Sequence, residues 1–236
     1  MSQSIKSRTA DEGKLGPGLD IRDVRIPPVG LAGTLRIPKD ARGFIAFAHG
    51  SGSSRLSRRN MAVAEGLNAQ GFGTLLFDLL TSDEEADRSN VFDVALLAER
   101  LVDAVIWLDR ESPASHRPFG LFGASTGAAA ALVAAARLGD RIGAVVSRGG
   151  RPDLAGKILD QIWTPTLLIV GGADHGVIEL NEEALTHLKG PKALQIVPGA
   201  THLFPEPGTL EAVIDHAARW FAPYLAASSP MAGSHG

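Results

Sequence analysis

The chain has 236 residues, 44% hydrophobic and 21% charged, enough to bury a sizeable core in one α/β domain. Its formal net charge of -3 is spread over mixed acids and bases, so no basic field points to nucleic acid and no polybasic stretch to a membrane surface. With no cysteine, disulfides and thiolate metal sites are excluded.

Residues 1–18 are rich in Ser, Lys, Asp and Gly and are expected to form a flexible arm without the apolar core of a signal peptide. Strands are expected at 21–26 and 31–37, and Pro27-Pro28-Val29-Gly30 between them reads as a hairpin turn. From residue 43 onward, short apolar runs at 43–48, 73–77, 118–122, 142–147, 166–170 and 193–197 read as parallel strands buried on both faces. They alternate with helical patterns at 59–69, 91–110, 126–138, 154–161, 181–188 and 209–225. Val94, Leu97, Ala98, Leu101, Val105 and Leu108 form one helical stripe. Leu210, Val213, Ile214, Ala217 and Phe221 form another. Residues 228–236 read as a disordered tail. The fold class expected is α/β: one domain over 19–227, with a mostly parallel, doubly wound sheet of about eight strands and helices on both faces. No apolar run reaches the ~18 residues of a membrane span, and a soluble, cytoplasmic protein is expected.

The most informative stretch is Gly123-Ala124-Ser125-Thr126-Gly127. It follows an apolar strand and opens an alanine-rich helix, the setting in which G-x-S-x-G strains a serine and lifts its hydroxyl above the sheet edge. The competing reading is a small-residue helix start with Ser125 or Thr126 as N-cap. A serine nucleophile needs a base, and the base an orienting acid. Of seven histidines, His187 and His216 fall inside helical patterns, His116 in a polar turn and His235 in the tail. His49 ends a strand, and His175 follows a Gly-Gly-Ala-Asp turn. His202, in the loop between the last strand and the last helix, is the candidate base. Asp174, just past the strand at 166–170, is the candidate acid, with an Asx-turn or helix cap as its structural alternative.

Ala48-His49-Gly50-Ser51-Gly52-Ser53-Ser54 follows the third strand, and its backbone amides can face a developing oxyanion. The Ser51 and Thr126 N–H groups are the expected donors. A phosphate-cradling reading of the same loop fails at Arg55, which occupies the last glycine position of G-x-G-x-x-G. Arg148 and Arg151 flank a Gly-Gly turn at the expected active edge and are candidates for holding a substrate carboxylate, against simple pairing with nearby acids. Arg58 and Arg59, after the oxyanion loop, have the same candidacy, against a solvated first helical turn. Glu84, Glu85 and Asp87 read as solvated, and Trp163 as a packing residue. Residues 148–165 are too few to insert a lid, so the site is expected to be open and to suit small or medium substrates.

These elements resemble the α/β-hydrolase superfamily from about residue 21 to 226, in the chain order Ser125, Asp174, His202. The stretches Phe47-Ala48-His49-Gly50-Ser51-Gly52-Ser53, Phe122-Gly123-Ala124-Ser125-Thr126-Gly127 and Val145-Val146-Ser147-Arg148-Gly149-Gly150-Arg151-Pro152-Asp153-Leu154 look most like the dienelactone hydrolase-related group. The last of them resembles hydrolase domains fused to phosphoribosyltransferases. Dienelactone hydrolase itself uses a cysteine, whereas this chain carries Ser125, which favours ordinary ester or lactone hydrolysis. The resemblance implies a carboxylic ester hydrolase that needs no metal or organic cofactor. Its expected partner is a small-molecule ester or lactone, with no nucleic acid and no membrane, in a monomer or homodimer. Acyl transfer or phosphotriester cleavage at the same serine, or a non-catalytic hydrolase-fold binding module, are the alternatives.

Overall fold

In a parallel sheet covered on both sides, every strand residue must find an apolar neighbour, so successive side chains feed two cores in turn. The computed structural model describes residues 18–111 and 118–226, and its central strands do this. The strands are β1 (Leu19–Ile26), β2 (Leu31–Pro38), β3 (Phe44–Ala48), β4 (Gly73–Phe77), β5 (Phe119–Ala124), β6 (Ile142–Arg148), β7 (Thr166–Gly171) and β8 (Lys192–Val197). They form one eight-stranded sheet in the order β1-β2-β4-β3-β5-β6-β7-β8. β1 pairs antiparallel with β2, and β2 antiparallel with β4, while all later pairs are parallel. The expected hairpin is present, with Ile26 opposite Leu31 and Gly30 N–H donating to Ile26 O at 2.8 Å.

Two helical layers cover the sheet. Phe44, Ala46, Phe119, Leu121, Val145 and Leu168 face α4 (Val94–Glu111) and α5 (Thr126–Leu138). The alternate residues Ile45, Phe47, Phe122, Val146 and Ile169 face α1 (Arg58–Ala69) and α7 (Thr209–Tyr224). Fully burying one such phenylalanine or isoleucine contributes about 1.5–3 kcal/mol. Both stripes read from the sequence lie inward, with Leu97, Leu101, Leu108, Val213 and Phe221 all buried.

Five details differ from the sequence reading. The expected helix at 91–110 begins at Val94, behind two short helices, α2 (Ser82–Glu85) and α3 (Arg88–Phe92). Glu84 is not a solvated acid: it caps Thr81 N–H and pairs with Arg100 at 2.7 Å. α6 runs His175–His187, starting well before the expected residue 181, and the segment Pro152–Gln161 is a 3₁₀ helix broken at Gly156, where φ is 56°. Trp163 is 70% exposed rather than packed. The expected arm and tail, apart from Gly18, and His116 and His235 lie outside the described residues. Among the described residues, no helix is long and apolar enough to cross a membrane.

Candidate active site

The C-terminal ends of the parallel strands converge on one edge, where ligands bind in this architecture. β5 ends at Ala124, and Ser125 turns the chain into α5 with φ 51° and ψ -123°. A positive φ is costly for a residue with a Cβ, of order 1–3 kcal/mol, and persists only where its surroundings enforce it. A Cβ on Gly123 would overlap Ala128 and Gly127, and one on Gly127 would overlap the carbonyls of Ala48 and His49. Main-chain bonds then clasp the turn: Ser125 N–H donates to Arg148 O at 3.3 Å, and Ser125 O accepts from Ala128 at 3.1 Å and from Arg151 at 3.1 Å.

Asp174 occupies the N-cap position of α6 but makes no side-chain cap bond. Its Oδ2 lies 2.7 Å from His202 Nδ1 instead. The carboxylate is largely sheltered, at 17% side-chain exposure, while the imidazole is 38% exposed. Two loops are tied together to allow this: Gly172 N–H donates to Val197 O at 2.8 Å, and Ala173 N–H to Ala200 O at 2.9 Å. The His202 loop is pinned by buried Phe204 and by a clamp in which Thr201 Oγ1 donates to Glu206 Oε1 at 2.6 Å. That hydrogen bond holds the Glu206 carboxyl below its ordinary range. The same loop packs on the turn after β6, since a Cβ on Gly149 would sit 3.0 Å from His202 O and 3.6 Å from its Cε1.

The loop after β3 closes the other side. Gly50 lies against the nucleophile turn, where an added Cβ would come 2.9 Å from Ser125 Cβ. Ser51 N–H, one expected oxyanion donor, points at Thr126 and donates to its Oγ1 at 2.9 Å. His49 fixes the loop from behind. Its Nε2 accepts from Leu79 N–H at 3.1 Å, which leaves Nδ1 to donate to Gly50 O at 3.0 Å. Burial, opposed by the Gly50 hydrogen bond, lowers the His49 pKa and favours this neutral form. Sequence reasoning passed over His49, whose only signal was its place at a strand end next to the loop. Beside the loop opens a cleft of about 210 Å³ walled by Ser51, Ser54, Leu56, Leu80, Val91 and the Arg55–Asp78 ion pair.

The four arginines sort differently from one another. Arg151 is not available as an anion contact: its Nε and Nη2 are both bonded to Asp153 at 2.8 Å. Arg58 is exposed on the first turn of α1. Arg148 is only 6% exposed, at the end of β6. Arg59, one residue past Arg58 and so turned about 100° around the helix, is the arginine that acts on Arg148.

The family model of the dienelactone hydrolase family matches residues 31–222. The crystal structure of dienelactone hydrolase from Anabaena variabilis is 51% identical, with a TM-score of 0.84 over 88% of this chain and 99% of that one. Est1E from Butyrivibrio proteoclasticus is 18% identical with a TM-score of 0.67, over 87% of this chain and 99% of its own, and shares the fold. Two curated Mycobacterium tuberculosis relatives, provisionally named phosphoribosyl transferases, are 57% identical over 203 residues, covering 86% of this chain. The chain spans 46% of their length. The α/β-hydrolase architecture, a family model covering most of the sequence and a solved relative matched along almost its whole length agree: this chain belongs to the dienelactone hydrolase family.

Proposed function

We propose that the chain is a serine hydrolase of small or medium carboxylic esters or lactones. The observation that carries this reading is the Asp174–His202 hydrogen bond of 2.7 Å, on a loop that packs against Gly149, next to the Arg148 carbonyl that accepts from the strained Ser125. His202 Nε2 takes the Ser125 proton as Oγ attacks the carbonyl carbon, and Asp174 keeps the proton on Nδ1 and stabilises the imidazolium. The oxyanion receives the Thr126 and Ser51 N–H groups, the latter released as the Thr126 hydroxyl turns away. His202 returns its proton to the leaving alcohol. Water, deprotonated by His202, then cleaves the acyl-enzyme and frees the acid.

Support for a modest substrate comes from the short 3₁₀ connection after β6, which leaves the edge uncovered, and from the partly apolar cleft beside the oxyanion loop. Purified protein should turn over p-nitrophenyl acetate, and a fluorophosphonate should add its mass to the peptide containing Ser125. Labelling at another residue alongside real turnover would falsify the nucleophile assignment. The phosphoribosyl transferase name belongs to relatives of which this chain matches 46%, and transfer assays with those relatives' region alone are the direct way to bring it here.

A further inference from the structure

Arg148 lies on the face of β6 shared with Val146, toward α1 and α7. Among the described residues, its Nε and Nη1 are buried without a hydrogen-bond partner, and so is the Nε of Arg59. Burial first, and the like charge of Arg59 second, push the Arg148 pKa down to about 10, and among the described residues no carboxylate acts on it. Other arginines at this protein's surface have found an acid: Arg36 has Glu65, Arg55 has Asp78, Arg100 has Glu84, Arg141 has Asp109 and Arg151 has Asp153. Arg59 stands in the first turn of the 12-residue α1, which carries no acidic residue there, so the positive end of the helix adds to the two guanidiniums.

Unpaired charge does not stay buried without cost, and a pair of like charges costs more. We infer that Arg148 and Arg59, at the N-terminus of α1, form a subsite for a dianionic oxyanion group on the substrate, of which a phosphate monoester is the simplest example. That the ligand is a substrate rests on the hydrolase reading; that an anion binds does not. The place fits a substrate subsite, because Arg148 O holds the Ser125 amide and Gly149 packs against His202. Two guanidiniums without an acid among the described residues balance two negative charges, and a monocarboxylate would leave one of them unmatched. Phosphate oxygens can also serve two planar forks at once, which a single carboxylate does poorly.

Calorimetric titration of the full chain and of Ser125→Ala with inorganic phosphate, at constant ionic strength, tests the subsite without turnover. Both proteins should bind phosphate alike, and acetate at least about tenfold more weakly. Arg148→Met and Arg59→Gln should each weaken phosphate about ten- to a hundredfold, the scale of a lost charge-assisted hydrogen bond. Arg59→Gln carries the comparison alone if Arg148→Met does not fold. Absence of phosphate binding, unchanged affinity in Arg59→Gln, or acetate binding as tight as phosphate each overturns the assignment. The two readings separate cleanly. Phosphate binding without p-nitrophenyl acetate turnover removes the hydrolase and leaves the subsite; turnover without phosphate binding does the reverse.

Discussion

Asp174 sits where a carboxylate would ordinarily cap α6, yet its side chain leaves the helix and reaches His202. A residue that gives up a cap has another use. Asp174→Asn should keep the fold but lower kcat by about four orders of magnitude, the loss seen when an amide fixes the wrong imidazole tautomer. Ser125→Ala and His202→Ala should each cost at least roughly a thousandfold. His175→Ala should change turnover by less than about tenfold, because His175 is exposed on the first turn of α6. Steady-state kinetics on one ester decides all four, and a severe loss at His175 would shift the base assignment there. Ser125 and Asp174 were legible as candidates because each follows a strand end at a glycine-marked turn, while His202, five residues past the end of β8, was reached only by setting the other histidines aside. The arginines were not: Arg58 and Arg59 are adjacent in sequence, and only packing decides which faces Arg148.

The loops show how one element holds another. His49 bridges the loop after β3 to the backbone at Leu79, and only its neutral form can accept that N–H. Since burial lowers its pKa, the unfolded chain takes up the proton first, near pH 6.5. Stability is therefore expected to fall as pH drops below about 6.5 and to level off below the folded-state pKa. His49→Gln should flatten that part of the profile when thermal unfolding is followed from pH 8 to pH 5; an unaltered profile would assign the acid loss to other groups. At the nucleophile turn, Gly127→Ala forces a methyl onto the carbonyls of Ala48 and His49, which are backbone and cannot swing aside. We expect either no folded protein or a turn displaced far enough to cut turnover at least about a hundredfold, because misplacement by an ångström costs about that much. Strand limits were readable to within a residue or two because buried parallel strands are continuous apolar runs. The short α2 is polar and exposed and has no periodicity to read, although Thr81-Ser82-Asp83-Glu84 did carry a capping-box pattern. The early start of α6 was hidden by His175-Gly176, two residues that a propensity argument assigns to a turn.

At the scale of the molecule, the alternation of apolar runs and helical stripes made a mostly parallel, doubly wound sheet with helices on both faces accessible from sequence, whereas the strand order, with β4 between β2 and β3, carries no such local pattern. The consequence for activity is an uncovered edge. Among p-nitrophenyl esters, acyl chains of two to four carbons should exceed those of twelve or more by at least about tenfold in kcat/KM, since an open cleft near 210 Å³ cannot desolvate a long chain. A preference for the long chains would require cover that the connection after β6 does not provide. The same connection bears on how such an enzyme diversifies. Ser125 is clasped by the main chain of Arg148 and Arg151, not by their side chains. A lineage could therefore exchange the Arg148 side chain, and with it the molecules it recognises, while the peptide groups that tension the serine stay in register. In directed evolution, position 148 is accordingly a place where a saturation library should yield altered substrate range at a lower rate of dead clones than positions 123 or 127.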